Sequence, residues 1–150
     1  MEIRVVPYDH PDAGSLIDEV QQEYVVRYGG PDGTRVDPAQ FAPPRGLFLV
    51  GYLDGAPVAC GGWRAHADGV VEVKRMYVVP AARGRGLARA MLAELELSAK
   101  RAGARRLVLE TGSRQPEAVA LYRSSGYTDV PPFGYYANAP ESVHLGKTLG

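Results

Sequence analysis

Residues 70–88 read VVEVKRMYVVPAARGRGLA, a valine-rich run followed by a proline and then by a glycine loop. The run predicts a strand over Val70–Val79 that ends at Pro80. Beyond the loop, apolar residues recur at helical spacing and predict a helix that ends at Gly103. Glycines between a strand and a helix let the backbone approach a phosphate, and the free N–H groups at the helix start attract its charge. This stretch therefore predicts a phosphate-binding loop but does not name the phosphate compound.

The rest of the chain predicts a single α/β domain over residues 1–150 with a mixed sheet. The other predicted strands cover residues 3–6, 47–53, 57–65, 106–110 and 143–149. Predicted helices also cover residues 15–28, opened by a capping-box pattern at Ser15, and the segment from Pro116 to Gly126. Residues 29–45 form a long Pro- and Gly-rich connection, which indicates either a mobile lid or a small helix near Pro38–Phe41.

The chain is electrically neutral, with 17 Lys or Arg, 17 Asp or Glu, and 45% hydrophobic residues. A neutral chain gives no global electrostatic argument for binding nucleic acid or a membrane. Its charge is uneven, because residues 74–123 carry eleven basic groups against four acidic ones, which suits a polyanionic ligand. No apolar stretch approaches the ~20 residues of a membrane span, and Cys60 has no disulfide partner. We therefore expect a cytoplasmic protein with Cys60 in its core.

Two familiar phosphate-binding motifs do not fit this chain. A Rossmann dinucleotide loop needs a third glycine or an alanine where Arg89 stands. Gly146-Lys147-Thr148 looks like the end of a P-loop, but Glu141 occupies the required upstream glycine position and no helix follows. The loop at residues 83–88 is therefore expected to bind a different phosphate compound.

The same loop resembles the signature of the GNAT superfamily of N-acetyltransferases. That signature is Gln or Arg, two residues, Gly, one residue, then Gly or Ala, and Arg83-Gly84-Arg85-Gly86-Leu87-Ala88 fits it in full. Residues 109–112, 115–118 and 121–127 are similar to the family's later segments, so the resemblance runs from about Leu47 to the end. It implies a GNAT fold: a mixed, mostly antiparallel sheet of six to seven strands flanked by helices.

The resemblance also implies acetyl-CoA as co-substrate, with no metal. The residues it assigns to the pyrophosphate are Arg83, Gly84, Arg85, Gly86, Leu87 and Ala88. Met76 and Tyr77 would line the pantetheine arm, and Thr111 is a further cofactor-binding residue. In the family a bulge splays the end of the fourth strand and a main-chain N–H meets the thioester carbonyl; by position this maps to Val78. Val78 is thus a predicted catalytic as well as a cofactor-binding residue.

Amide formation from a thioester also needs an acid for the leaving thiolate and a base for the amine. The thiol has a pKa of about 8.5, and Tyr122 matches the family's general acid, placed to contact the cofactor. An alkylamine has a pKa of about 10.4, so a base must remove a proton. Glu72 is the predicted base; the alternative is that it faces solvent or pairs with a neighbouring cation. Glu110 is the second candidate and His144 the third.

The expected reaction is direct transfer of an acetyl group to the primary amine of a small molecule. The acceptor is predicted to be cationic and to contact residues of the first helix and the long loop, namely Glu19, Glu23, Tyr24, Tyr28 and Asp37. The segment Pro131–Tyr136 would close over the site; the alternatives are that its aromatic residues serve packing or a homodimer contact. Peptide N-termini, lysine side chains, aminoglycoside-like drugs and acyl chains other than acetyl remain open, as does a non-catalytic acyl-CoA-binding sensor domain.

Overall fold

The computed structural model describes all 150 residues and contains seven strands and three α-helices. The strands are β1 (Glu2–Val5), β2 (Gly46–Leu53), β3 (Ala56–Ala67), β4 (Val70–Val78), β5 (Arg106–Gly112), β6 (Thr128–Asp129) and β7 (Ser142–Thr148). The helices are α1 (Pro11–Tyr28), α2 (Leu87–Arg101) and α3 (Pro116–Ser124), and two 3-10 turns cover Pro38–Phe41 and Pro80–Ala82.

The strands form one sheet in the order β1-β2-β3-β4-β5-β7-β6. Only β4 and β5 pair in parallel, joined through α2, while every other pair is antiparallel. This arrangement confirms the predicted α/β fold with a mixed, mostly antiparallel sheet. The two-residue β6 is the strand that the sequence patterns did not predict.

The sheet separates two hydrophobic clusters. Residues of α2 and α3 pack in one cluster, where Met91, Leu95 and Tyr122 are buried. Residues of α1 pack in the other, where Leu16 and Val20 are buried. The helices therefore flank the sheet on both faces, and residues of both α1 and α3 reach the site described below.

The first helix begins at Pro11 rather than at the predicted Ser15. The His10 Nδ1 atom accepts a hydrogen bond from the Asp12 N–H at 3.0 Å, and Pro11 occupies the first turn, where its missing N–H has no cost. This cap one turn earlier replaces the capping box expected at Ser15. The small helix expected near Pro38–Phe41 is present, and Asp37 caps it.

β4 and β5 separate soon after they meet. Their pairing covers only Val70–Glu72 against Arg106–Val108, so the remainder of the two strands diverges. β4 also bulges against β3, because Tyr77 faces Cys60 whereas Lys74 faces Gly62, and Arg75 adopts a positive φ of 63°. The bulge was expected at Val78, which instead pairs regularly with Ala59. No sequence pattern marks an arginine that adopts a positive φ, so the position of the bulge in β4 could not be predicted from the residues around it.

None of the three helices is both long and apolar enough to cross a lipid bilayer. No group of three or more His, Cys, Asp or Glu side chains is arranged to hold a metal ion.

Candidate active site

A cavity of about 340 Å³ opens where β4 and β5 separate. Its walls come from residues 73–76 of β4 and 109–112 of β5, with Ala118 and Tyr122 of α3 beside them. Tyr24 and Tyr28 of α1 and Tyr136 add three aromatic side chains. A volume of this size is typical of small-molecule sites, and here it is formed by an interruption of the sheet itself.

Two loops cover the cavity and are fastened to each other. The Gly33 N–H donates to the Tyr136 hydroxyl at 2.8 Å, and the Asp32 N–H donates to Gln21 Oε1 of α1 at 2.8 Å. The Tyr28 hydroxyl donates to Gln115 Oε1 at 3.4 Å, which joins α1 to the start of α3. The long connection after α1 thus covers the cavity, and the segment ending in Tyr136 approaches it from the other side as expected.

Tyr122, the predicted general acid, is a buried side chain of the cavity wall. It is 6% exposed, lines the cavity, and packs edge-on against Tyr127 with ring centroids 5.8 Å apart. Burial, and then the charge of Glu110, raise the pKa of Tyr122, so the phenol keeps its proton at neutral pH. Its hydroxyl makes no hydrogen bond within the protein and is free to donate to a group in the cavity.

Glu110 and Glu72 occupy different environments. Glu110 lines the cavity, and burial raises its pKa while Ser142 and Lys74 partly offset that rise. Glu72 does not line the cavity; its carboxylate pairs with Arg64 at 3.0 Å on the neighbouring strand β3. Of the two candidate bases, only Glu110 can reach a molecule bound in the cavity without breaking an ion pair.

His144 pairs with Glu110 across β5 and β7 but does not line the cavity. Its Nε2 atom lies 3.3 Å from the Tyr136 carbonyl oxygen, and its Nδ1 atom is buried without a partner. The ring packs against Phe133. The third candidate base therefore supports the loop that carries Tyr136.

The predicted pantetheine residues divide between the two faces of β4. Met76 lines the cavity, as does the buried Thr111 of β5. The Tyr77 side chain points to the α1 side, where its hydroxyl donates to Glu19 Oε1 at 3.3 Å; burial and Glu19 raise the pKa of Tyr77 to about 12. Only the main chain of Tyr77 is left to contact a ligand between β4 and β5.

The main chain of Val78 faces the space between the separated strands. The Val79 N–H donates to Val58 on β3 at 2.9 Å, and N–H groups alternate in direction along a strand, so the Val78 N–H points the opposite way. The Val78 carbonyl oxygen accepts a hydrogen bond from Arg83 Nε at 2.9 Å. The Val78 N–H is therefore oriented to donate to a ligand between β4 and β5, even though the β-bulge lies at Arg75 and not at Val78.

The glycine loop presents a row of unused donors. Gly84 and Gly86 adopt positive φ values of 81° and 75°, and Gly86 is the residue that caps α2. The first N–H of this region that bonds into the helix is Ala90, to the Gly86 carbonyl at 3.1 Å, so the N–H groups of residues 84–89 have no acceptor in the protein. Glycine backbone, free amides and a helix N-terminus are the donor set that binds a pyrophosphate.

The arginines around this loop have different partners. Arg83 turns back to Glu23 and to the Val78 carbonyl, and Arg89 donates to the hydroxyls of Ser124 and Ser125. Arg85 is exposed and makes no hydrogen bond or ion pair within the protein. Arg85 is therefore the cation that is free to supplement the backbone amides, whereas Arg83 helps to join α1 to the end of β4.

The acidic residues expected to recognise the acceptor are engaged elsewhere. Glu19 bonds Tyr77, Glu23 pairs with Arg27 and Arg83, and Asp37 caps the short 3-10 turn. The charged residues that do line the cavity besides Glu110 and the half-exposed Glu141 are Asp32, Lys74 and Arg75. Charged residues inside a valine-rich strand were a signal for Lys74 and Arg75, but nothing local marked Asp32.

Comparison with known proteins places this site in context. A family model described as the acetyltransferase (GNAT) family matches residues 16–127. An IAA acetyltransferase of Azospirillum brasilense is 38% identical over 135 residues, covering 89% of this chain and 88% of that protein. The crystal structure of a Klebsiella pneumoniae protein assigned as an acyl-CoA N-acyltransferase has a TM-score of 0.81 at 30% identity, covering 99% and 97% of the two chains.

A more distant structure shows the same fold. The PaiA N-acetyltransferase of Thermoplasma acidophilum, solved in complex with coenzyme A, has a TM-score of 0.74 at 15% identity, with 99% of each chain covered.

Proposed function

Because the chain belongs to the GNAT family of acetyltransferases, we propose that it transfers an acetyl group from acetyl-CoA directly to the primary amine of a small molecule. The observation that carries this proposal is the cavity between β4 and β5, which brings together Tyr122, Glu110 and Met76. The roof formed by the two loops favours a small acceptor over a protein side chain, since it restricts access from above.

The free N–H groups of residues 84–89, with Arg85, would hold the pyrophosphate of acetyl-CoA. Bound there, the donor supplies an activated thioester. On the side that faces β5, the part of β4 beyond Glu72 has no strand partner, so its main chain can bond an extended amide-bearing arm beside Met76 and Thr111. The Val78 N–H is the proposed donor to the thioester oxygen, and one such donor contributes on the order of 10²-fold in rate.

Glu110 would take the proton that an ammonium must lose before its nitrogen can attack. As the carbon–nitrogen bond forms and the carbon–sulfur bond breaks, Tyr122 would donate its hydroxyl proton to the departing sulfur. The nitrogen of an ammonium gives up two protons in all: one leaves through Glu110 to solvent, and the other restores Tyr122. The products are an amide, a thiol and one released proton.

Tyr122→Phe tests the acid role. We expect turnover, followed as thiol release from acetyl-CoA with a panel of amines, to fall by about 10²-fold, because general acid catalysis contributes 10²–10⁴-fold. Affinity for coenzyme A should stay within a factor of two or three, since the ring and its packing on Tyr127 remain. A fully active variant would remove Tyr122 from the mechanism.

The alternative of a sensor domain gives a different result with the unaltered protein. Tight binding of acetyl-CoA, with no thiol released above the background of hydrolysis for any amine, would contradict the transferase proposal and favour the sensor. Comparing acetyl-, propionyl- and succinyl-CoA in the same assay measures the acyl preference.

A further inference from the structure

Two basic side chains, Lys74 and Arg75, are buried in the cavity wall. Their side chains are 7% and 3% exposed. Lysine and arginine are almost never buried this deeply unless a negative group faces them. Neither residue has a part in the proposed transfer chemistry. Because both line the cavity, a role in binding a ligand there would account for their position.

Only one carboxylate pairs with these two cations. Asp32 Oδ2 lies 2.7 Å from Lys74 Nζ and 2.5 Å from Arg75 Nη1, so a single oxygen serves both. The other oxygen, Oδ1, accepts the Thr34 N–H at 2.9 Å. The Asp32 carboxylate is therefore fully used, and the cluster of Asp32, Lys74 and Arg75 keeps an excess of one positive charge.

Hydrogen-bond donors are also left over in this cluster. An ammonium carries three N–H donors and a guanidinium five, but Lys74 bonds only Asp32, and Arg75 bonds only Asp32 and the Tyr8 hydroxyl. Arg75 Nε is fully buried with no partner at all. Unused donors around an excess positive charge fit a carboxylate, which matches the planar fork of a guanidinium.

We propose that the acceptor is an amino acid whose carboxylate binds Lys74 and Arg75 while its amine lies at Glu110. This inference rests on the proposed function and adds the class of its substrate. Glu110 lies on β5, across the same cavity from Lys74 on β4, and the charge of Lys74 partly offsets the rise that burial causes in the pKa of Glu110. The proposed base and the two cations are therefore close enough for one small molecule to contact both. The rings of Tyr24, Tyr28 and Tyr136 surround the space left for the amino acid side chain.

The test compares acceptors that differ only in the carboxylate. Each standard L-amino acid, its α-amide and its decarboxylated amine are assayed for thiol release at saturating acetyl-CoA. For the best amino acid we expect kcat/KM to exceed that of its amide and amine by at least ~30-fold, because loss of one partner of a buried charge pair has effects of this size. An amide or amine used within about threefold of the amino acid would overturn the carboxylate site and leave the transfer proposal standing.

Lys74→Gln tests the residue itself, with Lys74→Arg as the charge-conserving variant. We expect Lys74→Gln to raise KM for the amino acid at least ~10-fold and leave KM for the amide unchanged, whereas Lys74→Arg keeps the preference. A purely structural role would affect both acceptors alike, and that result would contradict the proposal. Lys100→Gln, at the exposed end of α2, is the matched control, and coenzyme A affinity reports whether each variant is folded.

A binding measurement separates this inference from the reaction. N-acetyl amino acids and their α-amides are titrated calorimetrically into the complex of the protein with coenzyme A. Binding of the acids but not the amides would support the carboxylate site even where no thiol is released, in which case the transfer proposal alone fails. Equal binding of both, or binding of neither, would overturn the site.

Discussion

Tyr122 and Glu110, the proposed acid and base, lie in the same cavity and are both largely removed from water. Removing each group from water disfavours its charged form, so the pKa of both rises. The Tyr122 phenol therefore keeps its proton at neutral pH, as the proposed acid must. The Glu110 carboxylate, with its raised pKa, is a stronger proton acceptor than an exposed glutamate. Glu72 has a carboxylate as well, but its pairing with Arg64 commits that group to the sheet.

Glu110→Gln should lower kcat by about 10²–10⁴-fold, the range for loss of a general base. Only ionised Glu110 can accept a proton, and its pKa is raised, so the unaltered enzyme should lose activity on acidification at a higher pH than an ordinary glutamate would dictate. This acidic limb in the pH profile of kcat/KM should disappear in the variant.

Glu72→Gln is the matched control for that experiment. Its pH profile should keep the acidic limb, because Glu72 lies outside the cavity. Loss of the limb in Glu72→Gln, with retention in Glu110→Gln, would return the base to Glu72.

At the scale of elements, the path from β4 to α2 links the two halves of the proposed donor site. β4 leaves its partner β5 after Glu72, which creates the cavity, and then ends at the loop whose free amides precede α2. Arg83 ties this junction to α1 through Glu23. One continuous segment therefore contributes both the main-chain edge beside the cavity and the predicted pyrophosphate loop.

Gly86→Val should weaken coenzyme A binding at least ~10-fold, because a β-branched residue at φ 75° costs on the order of 1–3 kcal/mol and displaces the free amides. The measurement is calorimetric titration with coenzyme A. Gly103→Val is a close control, since Gly103 also has a positive φ, 96°, with open space around it, at the far end of α2. Equal affinities of the two variants for coenzyme A would contradict the assignment of residues 83–88 as the pyrophosphate-binding loop.

At the scale of the whole molecule, Asp32 connects the roof of the site to the sheet. Burial raises the pKa of its carboxylate, but Lys74 and then Arg75 outweigh that effect and hold the pKa well below the usual range. A group of this kind adds stability above its unfolded pKa of about 3.9, and the contribution is lost as the pH falls toward the folded value. The roof and the sheet therefore share one ionic connection.

Asp32→Asn should reduce the free energy of unfolding by about 3–5 kcal/mol at neutral pH, because it leaves two buried cations without their partner. The difference from the unaltered protein should shrink as the pH falls below about 4. Urea unfolding across a pH series measures both effects. Asp18→Asn, on the exposed face of α1, should change little. A comparable loss there would show that the effect is not specific to the pairing of Asp32 with Lys74 and Arg75.

Apart from the two-residue β6, the order of elements could be predicted from sequence, as could the glycine loop, the helix after it and the place of Tyr122 in a helix. Each of these depends on residues close together in the chain. Glycines that adopt positive φ, an apolar face at helical spacing and a tyrosine in a family-like segment are local features. The acetyltransferase family followed from them. The start of α1 was predicted at the capping-box pattern of Ser15, but His10 and Pro11 supply an alternative cap one turn earlier, and the structure uses it.

Tertiary structure decided which charged groups share the cavity. Asp32 meets Lys74 across 42 positions of the chain, and no periodicity or motif relates two residues so far apart. The same holds for Glu110, whose strand reaches the cavity only because β4 and β5 separate, and for Glu72, which Arg64 removes from it. The sequence alone thus determined the family and the fold and predicted acetyl-CoA as the donor. Only the tertiary structure decided which charged groups meet in the cavity, because these groups lie far apart in the chain.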